Sequence, residues 1–185
     1  MMGRFFLGIA VPPDRCGEAL VRVEDQLAEE LDVKRWYKPE QFHLTTHFLG
    51  ELTDDQVASL LERISLDVQQ FAPFSLQLDR VGSFPQAKVV WCGVGGDLAA
   101  LHRLYDVLTV PLRSFGADRF LHDRFRPHIT LGRLRTADSA WQPADYTDLF
   151  AGARWDVTSI HLFESVSAGA AGPHYPIRHT FHFPQ

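Results

Sequence analysis

The sequence predicts an α+β fold, two related lobes packed about a pseudo-twofold axis with a groove between them. Three observations point there. Strand-like and helix-like segments follow one another in mixed order along the chain. The triplet His-x-Thr occurs twice, at His43-Leu44-Thr45 and His128-Ile129-Thr130, and 128 − 43 = 85 positions is nearly half of a 185-residue chain. A hydrophobic content of 45% supports one compact core, so residues 1–185 are read as a single domain made of the two lobes.

The first element is a strand at about 4–11. Phe5-Phe6-Leu7-Gly8-Ile9-Ala10-Val11 has the apolarity of a signal-peptide core, but it is short and runs into Pro12-Pro13-Asp14 without a small-residue cleavage site. Asp14 is placed as the N-cap of a first helix carried by Ala19, Leu20, Val23, Leu27 and Leu31 at three- and four-residue intervals. The run 42–49 lies between Pro39 and Gly50, holds β-branched and aromatic residues and is too short for a helix, so it is a strand. Thr53 and Gln56 have capping-box spacing ahead of a second helix through Val57, Leu60, Leu61 and Ile64. Strands follow at 73–81 and 87–94. Asp97 then caps a third helix through Leu98, Leu101, Leu104, Tyr105 and Leu108, stopped near Pro111. Strands at 128–134, 154–163 and 177–183 complete the chain. Gly93 to Leu98 imitates a dinucleotide fingerprint, but the third glycine falls on Leu98 and no parallel βαβ unit surrounds it, so it is read as a turn.

Composition limits the function. A net charge of −5 and pI near 6.0 exclude a protein that holds long nucleic acid by its overall field, so any nucleic-acid contact must be local. Cys16 and Cys92 have no metal spacing and read as two reduced thiols of a cytoplasmic protein. Nothing approaches the ~18 apolar residues of a membrane span.

The histidines decide the chemistry. On a strand, His43 and His47 share a face but stand roughly 13 Å apart, too far for one metal ion, and Leu44 occupies the position where a metalloprotease helix needs Glu. His43 and Thr45, about 6.6 Å apart on one face, can converge on a small anion. With the second pair brought to the same groove, two imidazoles supply a base and an acid near neutral pH, and two hydroxyls hydrogen-bond the oxygens of a phosphoryl transition state. That suits opening of a 2′,3′-cyclic phosphate on RNA without metal or cofactor.

These residues carry a resemblance. "HLTTHFLG" and "FRPHITLGR" resemble the two signature motifs of the 2H phosphoesterases, and the chain is similar to the bacterial and archaeal RNA 2′,3′-cyclic phosphodiesterases, historically called 2′-5′ RNA ligases. "RFFLGIAVP", "RWYKPEQFHLTTHFLGELT", "AKVVWCGV" and "DRFRPHITLGR" extend it over most of residues 4–135, and "SIHLFESVSAGAAGPHYPIRHTFHF" follows more loosely. The resemblance implies two antiparallel sheets with outer helices flanking the groove. It implies that His43, Thr45, His128 and Thr130 are catalytic, with His128 as general base and His43 as general acid. It implies hydrolysis to a 2′-phosphate, with possible reversible 2′-5′ ligation, by a monomer acting on RNA ends or small cyclic nucleotide phosphates.

Arg133, five residues after His128, matches the family's phosphate-binding arginine, and Arg126 is expected to reach the same anion. Both belong to a basic patch with Arg113, Arg119, Arg124 and Arg135, six of 18 basic residues within 23 positions. Phe48 looks like the family's nucleobase-packing aromatic, although strand alternation turns it away from His43. Thr46 replaces a usual apolar residue and is expected to affect packing only. His47 is expected on the catalytic face, solvated at the groove rim. Two alternatives stand beside the phosphodiesterase: a relative acting on 2′,5′-oligonucleotides or ADP-ribose cyclic phosphate, and a non-catalytic RNA-end binding module, which would need no pair of titratable imidazoles.

Overall fold

A computed structural model describes residues 1–121 and 124–185. Strands β1 (Met2–Ala10), β2 (Val33–Trp36), β3 (His43–Thr53), β4 (Phe74–Phe84), β5 (Val89–Gly96), β6 (His128–Leu134), β7 (Arg154–Val157), β8 (Ser159–Glu164) and β9 (Ile177–His182) are joined by helices α1 (Glu18–Leu27), α2 (Asp54–Asp67) and α3 (Leu98–Leu112).

The caps explain the helix starts, with one correction. Thr53 and Gln56 close the capping box on α2, with Gln56 N–H donating to Thr53 Oγ1 at 3.3 Å and Thr53 N–H to Gln56 Oε1 at 2.9 Å. Asp97 Oδ1 accepts from Ala100 N–H at 3.0 Å and starts α3, which passes through Pro111 and ends one residue later. Asp14 does not cap α1. It lies inside a π-helical turn, Pro13–Gly17, and its carboxylate accepts instead from Arg15 N–H. The two prolines pre-set this turn, so the chain is already coiled before Glu18. Gly93–Gly96 belongs to the end of β5, and only Gly96, at φ +92°, makes the turn into α3.

The strands form one antiparallel sheet in the order β7-β4-β5-β6-β3-β1-β8-β9, with β2 beside β6. The two sheets expected from the sequence are thus two halves that meet at the β3–β6 seam. The halves are not halves of the sequence, because β8 and β9 return to the edge of β1 while β2 crosses to β6. The run 154–163 breaks at Thr158. β7 pairs with β4 and β8 with β1, so the sheet must curl until its β7 edge approaches β8. α1 contributes Leu20, Val23 and Leu27, α2 contributes Leu60 and Ile64, and α3 contributes Leu101, Leu104 and Leu108 to the buried core.

A single residue pair, Leu44 opposite Ile129, joins β3 to β6. Both side chains are fully buried. Because alternate residues of a strand face opposite ways, anchoring Leu44 and Ile129 in the core turns His43, Thr45, His128 and Thr130 out to the groove side of the seam. The core pair therefore sets where the polar groups point.

Candidate active site

The first seven residues of β3 and of β6 share one exposure pattern: half-buried at the His and the Thr, exposed at the sixth residue, buried elsewhere. The cause is a bulge repeated in both strands. Leu7 pairs with His47 and Gly8 with Thr45, leaving Thr46 unpaired. Val90 pairs with Gly132 and Trp91 with Thr130, leaving Leu131 unpaired. One extra residue after each threonine reverses the alternation. Phe48 and Arg133, each five residues after its histidine, thereby return to the face of the His-Thr pair. The expectation that alternation turns Phe48 away is corrected by this bulge.

The imidazoles are fixed in the same way. His43 Nδ1–H donates to the carbonyl of Gln41 at 2.7 Å and His128 Nδ1–H to that of Arg126 at 2.7 Å. An N–H committed to a carbonyl leaves Nε2 as the working nitrogen of each ring. Gln41 is itself buried and held at both ends, accepting from Lys38 N–H at 2.9 Å and donating to Pro173 O at 2.6 Å. Burial pushes the His43 pKa down to about 4, with the neighbouring His128 acting in the same direction. His128 is also lowered, by burial and then by the Arg133 guanidinium. Both rings sit among aromatics: His43 lies 4.6 Å from Tyr175 and 4.8 Å from Phe6, and His128 lies 5.1 Å from Phe84.

His43, Thr45, His128, Thr130, Arg133 and Phe48 all line one cavity of about 380 Å³. Arg126 does not. Its guanidinium lies over Phe84 at 5.9 Å, and its side chain lines two neighbouring cavities, one on the His128 side and one that reaches His128, Thr45 and Phe48. The rest of the basic patch divides. Arg113 pairs with Asp118 at 2.7 Å, Arg135 with Asp32 at 3.1 Å, and Arg119 donates to Leu49 O at 2.9 Å. Sequence reading did not find Tyr37 and Tyr175, whose hydroxyls lie 3.4 Å apart on the cavity wall, nor Arg4 and Ser165. Tyr175 arrives from the loosely matching C-terminal segment, so no local spacing pointed to it.

His47 is neither on the catalytic face nor at a solvated rim. The bulge buries it on the far side, stacked on Tyr105 at 4.5 Å, with Nδ1 3.1 Å from Thr46 Oγ1 and Nε2 2.8 Å from Thr109 Oγ1. Thr46 donates to the Leu7 carbonyl at 3.2 Å, so its hydroxyl serves a backbone group in the bulge.

A curled antiparallel sheet carrying twin His-x-Thr pairs at its central seam is the architecture of a 2H phosphoesterase. The model of the 2′-5′ RNA ligase superfamily matches residues 12–168, and the chain belongs to that family. It is 33% identical over 121 residues to an RNA 2′,3′-cyclic phosphodiesterase of Aeropyrum pernix, covering 64% of this chain and 67% of that one. It is 32% identical over 136 residues to the protein of that name from Archaeoglobus fulgidus, covering 71% and 73%. Against the Geobacillus stearothermophilus protein, 31% identical over 170 residues, 89% of this chain spans about half, 53%, of the relative. Among solved structures, E. coli LigT in apo form superposes with a TM-score of 0.72 at 26% identity, covering 100% of this chain and 99% of that one. LigT complexed with 3′-AMP superposes at 0.80 and 23% identity, covering 100% of both chains.

Proposed function

We propose that the protein hydrolyses RNA 2′,3′-cyclic phosphate ends to 2′-phosphates. The observation that carries this is the pair of equivalently anchored imidazoles, each presenting Nε2 to a cavity that also holds two threonines and Arg133. The names of the relatives point to the same reaction. In this reading His128 Nε2 takes a proton from water, the water oxygen bonds to phosphorus, the P–O3′ bond breaks, and His43 Nε2–H protonates O3′. Thr45 and Thr130 donate to the non-bridging oxygens as charge builds, and Arg133 offsets that charge. Phe48, more than half exposed, packs on the terminal base. Every group needed comes from one chain, so the catalytic unit is a monomer, working in the cytoplasm where both thiols stay reduced. Attack by a 5′-hydroxyl in place of water, with P–O3′ again broken and O3′ protonated, forms a 2′-5′ linkage from the same groups, and that ligation is reversible by attack of O3′ on the new linkage.

The test is to incubate EDTA-treated protein with an oligoribonucleotide ending in 2′,3′-cyclic phosphate and identify the product end. A 2′-phosphate is expected. Activity that disappears with chelation and returns with a divalent cation refutes the side-chain mechanism.

A further inference from the structure

On the far side of His128 lies a second cavity, of about 540 Å³ against 380 Å³ for the first, and the two share that histidine. Its wall is aromatic. Trp91 stands opposite Gly82, where a Cβ would come within 2.4 Å of the indole, so the ring lies against bare backbone that only glycine leaves free. Phe84 adjoins it at 5.2 Å. The Trp91 Nε1–H is buried without a partner among the described residues.

Its rim is cationic. β4 skips Asp79 and Arg80 in its pairing with β5, because Leu78 opposes Val94 and Val81 opposes Cys92. This bulge carries Arg80 over Gly93, where its Cγ lies 3.6 Å from the position a Cβ would take, and Gly93 pairs with His128. Arg124 and Arg126 complete the rim, so among the described residues three guanidiniums and one carboxylate, Asp79, line the cavity, in a chain whose net charge is −5. Such a concentration of cations beside the reacting centre is local design, not an overflow of overall charge.

A basic rim over an aromatic wall is how proteins hold single-stranded nucleic acid, with arginines on the phosphodiester and a ring under the base. The volume is that of a small-molecule site. We propose that this cavity is a subsite for a second ribonucleotide, so that the protein distinguishes RNA from a lone nucleoside cyclic phosphate. The inference rests on the reading of the first cavity as the site of the terminal phosphate. The same chemistry has two sources: the penultimate nucleotide of the strand being cleaved, or the first nucleotide of a separate strand whose 5′-hydroxyl approaches from the His128 side.

Binding of unreactive products separates the outcomes from turnover. Calorimetric titration of the wild-type protein with cytidine 2′-monophosphate, and with a dinucleotide ending in 2′-phosphate, compares one subsite with two. If the subsite holds the penultimate nucleotide, the dinucleotide binds on the order of tenfold more tightly, the scale of one charge-assisted contact. Arg80→Ala and Arg124→Ala, both at exposed positions, then remove most of that advantage and leave the mononucleotide unchanged. If it holds the second strand, a dinucleotide with a free 5′-hydroxyl binds to protein saturated with the mononucleotide, and Arg80→Ala weakens it. No advantage for either dinucleotide, or equal effects of the variants on mononucleotide and dinucleotide, overturns the subsite. Arg80-dependent dinucleotide binding in a protein that does not open the cyclic phosphate keeps the subsite and rejects the hydrolytic reading.

Discussion

Changing the pH should separate kcat/KM from kcat, because the surroundings of the two histidines differ between free and occupied protein. His43 is held at about 4 against an ordinary 6.5. A shift of that size corresponds to about 3.4 kcal/mol and leaves about one His43 in a thousand protonated at pH 7, against about one in four for an unshifted ring. His128 is lowered as well. The form that reacts has one ring protonated and the other neutral, so kcat/KM peaks midway between the two free-protein values. Midway between about 4 and anything below 6.5 is below about pH 5.3. A bound cyclic phosphate is an anion. At ~4 Å and an effective dielectric near 20 it favours an imidazolium by about 4 kcal/mol, or about three pH units. Raising one of the two rings by that amount moves the kcat optimum up by about 1.5 units. The unperturbed imidazole values, which put a base and an acid near neutral pH, hold for the complex better than for the free protein. The assay is initial rates from pH 4.5 to 8.5 on a cyclic-phosphate dinucleotide, with NMR titration of the histidine ring carbons in free protein. A His43 resonance titrating near 6.5, or coincident optima for kcat and kcat/KM, refutes the reasoning.

Arg133→Ala should lower kcat/KM by on the order of a hundredfold, the scale of a lost charge contact to the transition state, while Arg119→Ala, whose guanidinium holds the Leu49 carbonyl, should lower the melting temperature and leave kcat/KM within about twofold; equal kinetic effects reduce the cluster to a diffuse field. A substrate with sulfur in place of O3′ should rescue His43→Ala and not His128→Ala, since a thiolate leaves without a proton; rescue of His128→Ala alone reverses the two roles. Burial holds His47 at about 4, so its folded pKa lies below the unfolded value. Its contribution to stability, up to about 3 kcal/mol, is full above pH 6.5 and lost as pH falls towards 4, which denaturant melts of the wild type and of His47→Phe should show as a shallower acid limb in the variant. Glu24 runs the other way. Burial raises its carboxyl to about 8 and leaves Oε1 without a partner among the described residues, so its contribution fades as pH rises from 4.5 to 8, and Glu24→Gln should raise the melting temperature at pH 8 more than at pH 5.

The positions of the three helices and most strands were legible because they rest on local signals: apolar periodicity in α1, a capping box before α2, an aspartate before α3. What was not legible depends on contacts between distant segments. Asp14 looked like a cap because the sequence does not show that Pro12-Pro13 has already begun the turn. β2 carries too short a run to stand out and exists because β6 offers it an edge. The split of 154–163 needs the curl of the whole sheet. At the site, the His and Thr residues were legible because a motif repeated, and Arg133 and Phe48 because of resemblance. Neither Phe48's direction nor His47's burial could be read, since one unpaired residue in a ladder leaves no mark in the sequence.

The repeat also bears on how two chemically equivalent histidines could take the different roles proposed for them. Both have a backbone-carbonyl anchor, an aliphatic core-facing neighbour and the same bulge, so they differ in their surroundings, including what the bulge delivers. At the sixth position β3 presents Phe48 and β6 presents Arg133. A cation beside His128 disfavours its imidazolium and keeps Nε2 free to accept a proton from water. His43 meets aromatic rings, as His128 does, but no arginine acts on it, so in the proposed mechanism a bound phosphate raises His43 in particular and arms it as the acid. In the proposed mechanism the asymmetry puts the ring-stacking partner on the side of the ribose and the fixed positive charge on the side of the attacking oxygen. A symmetric pair with arginine at both positions would hold both imidazoles neutral and lack the acid; with phenylalanine at both it would lack the charge that offsets the transition state.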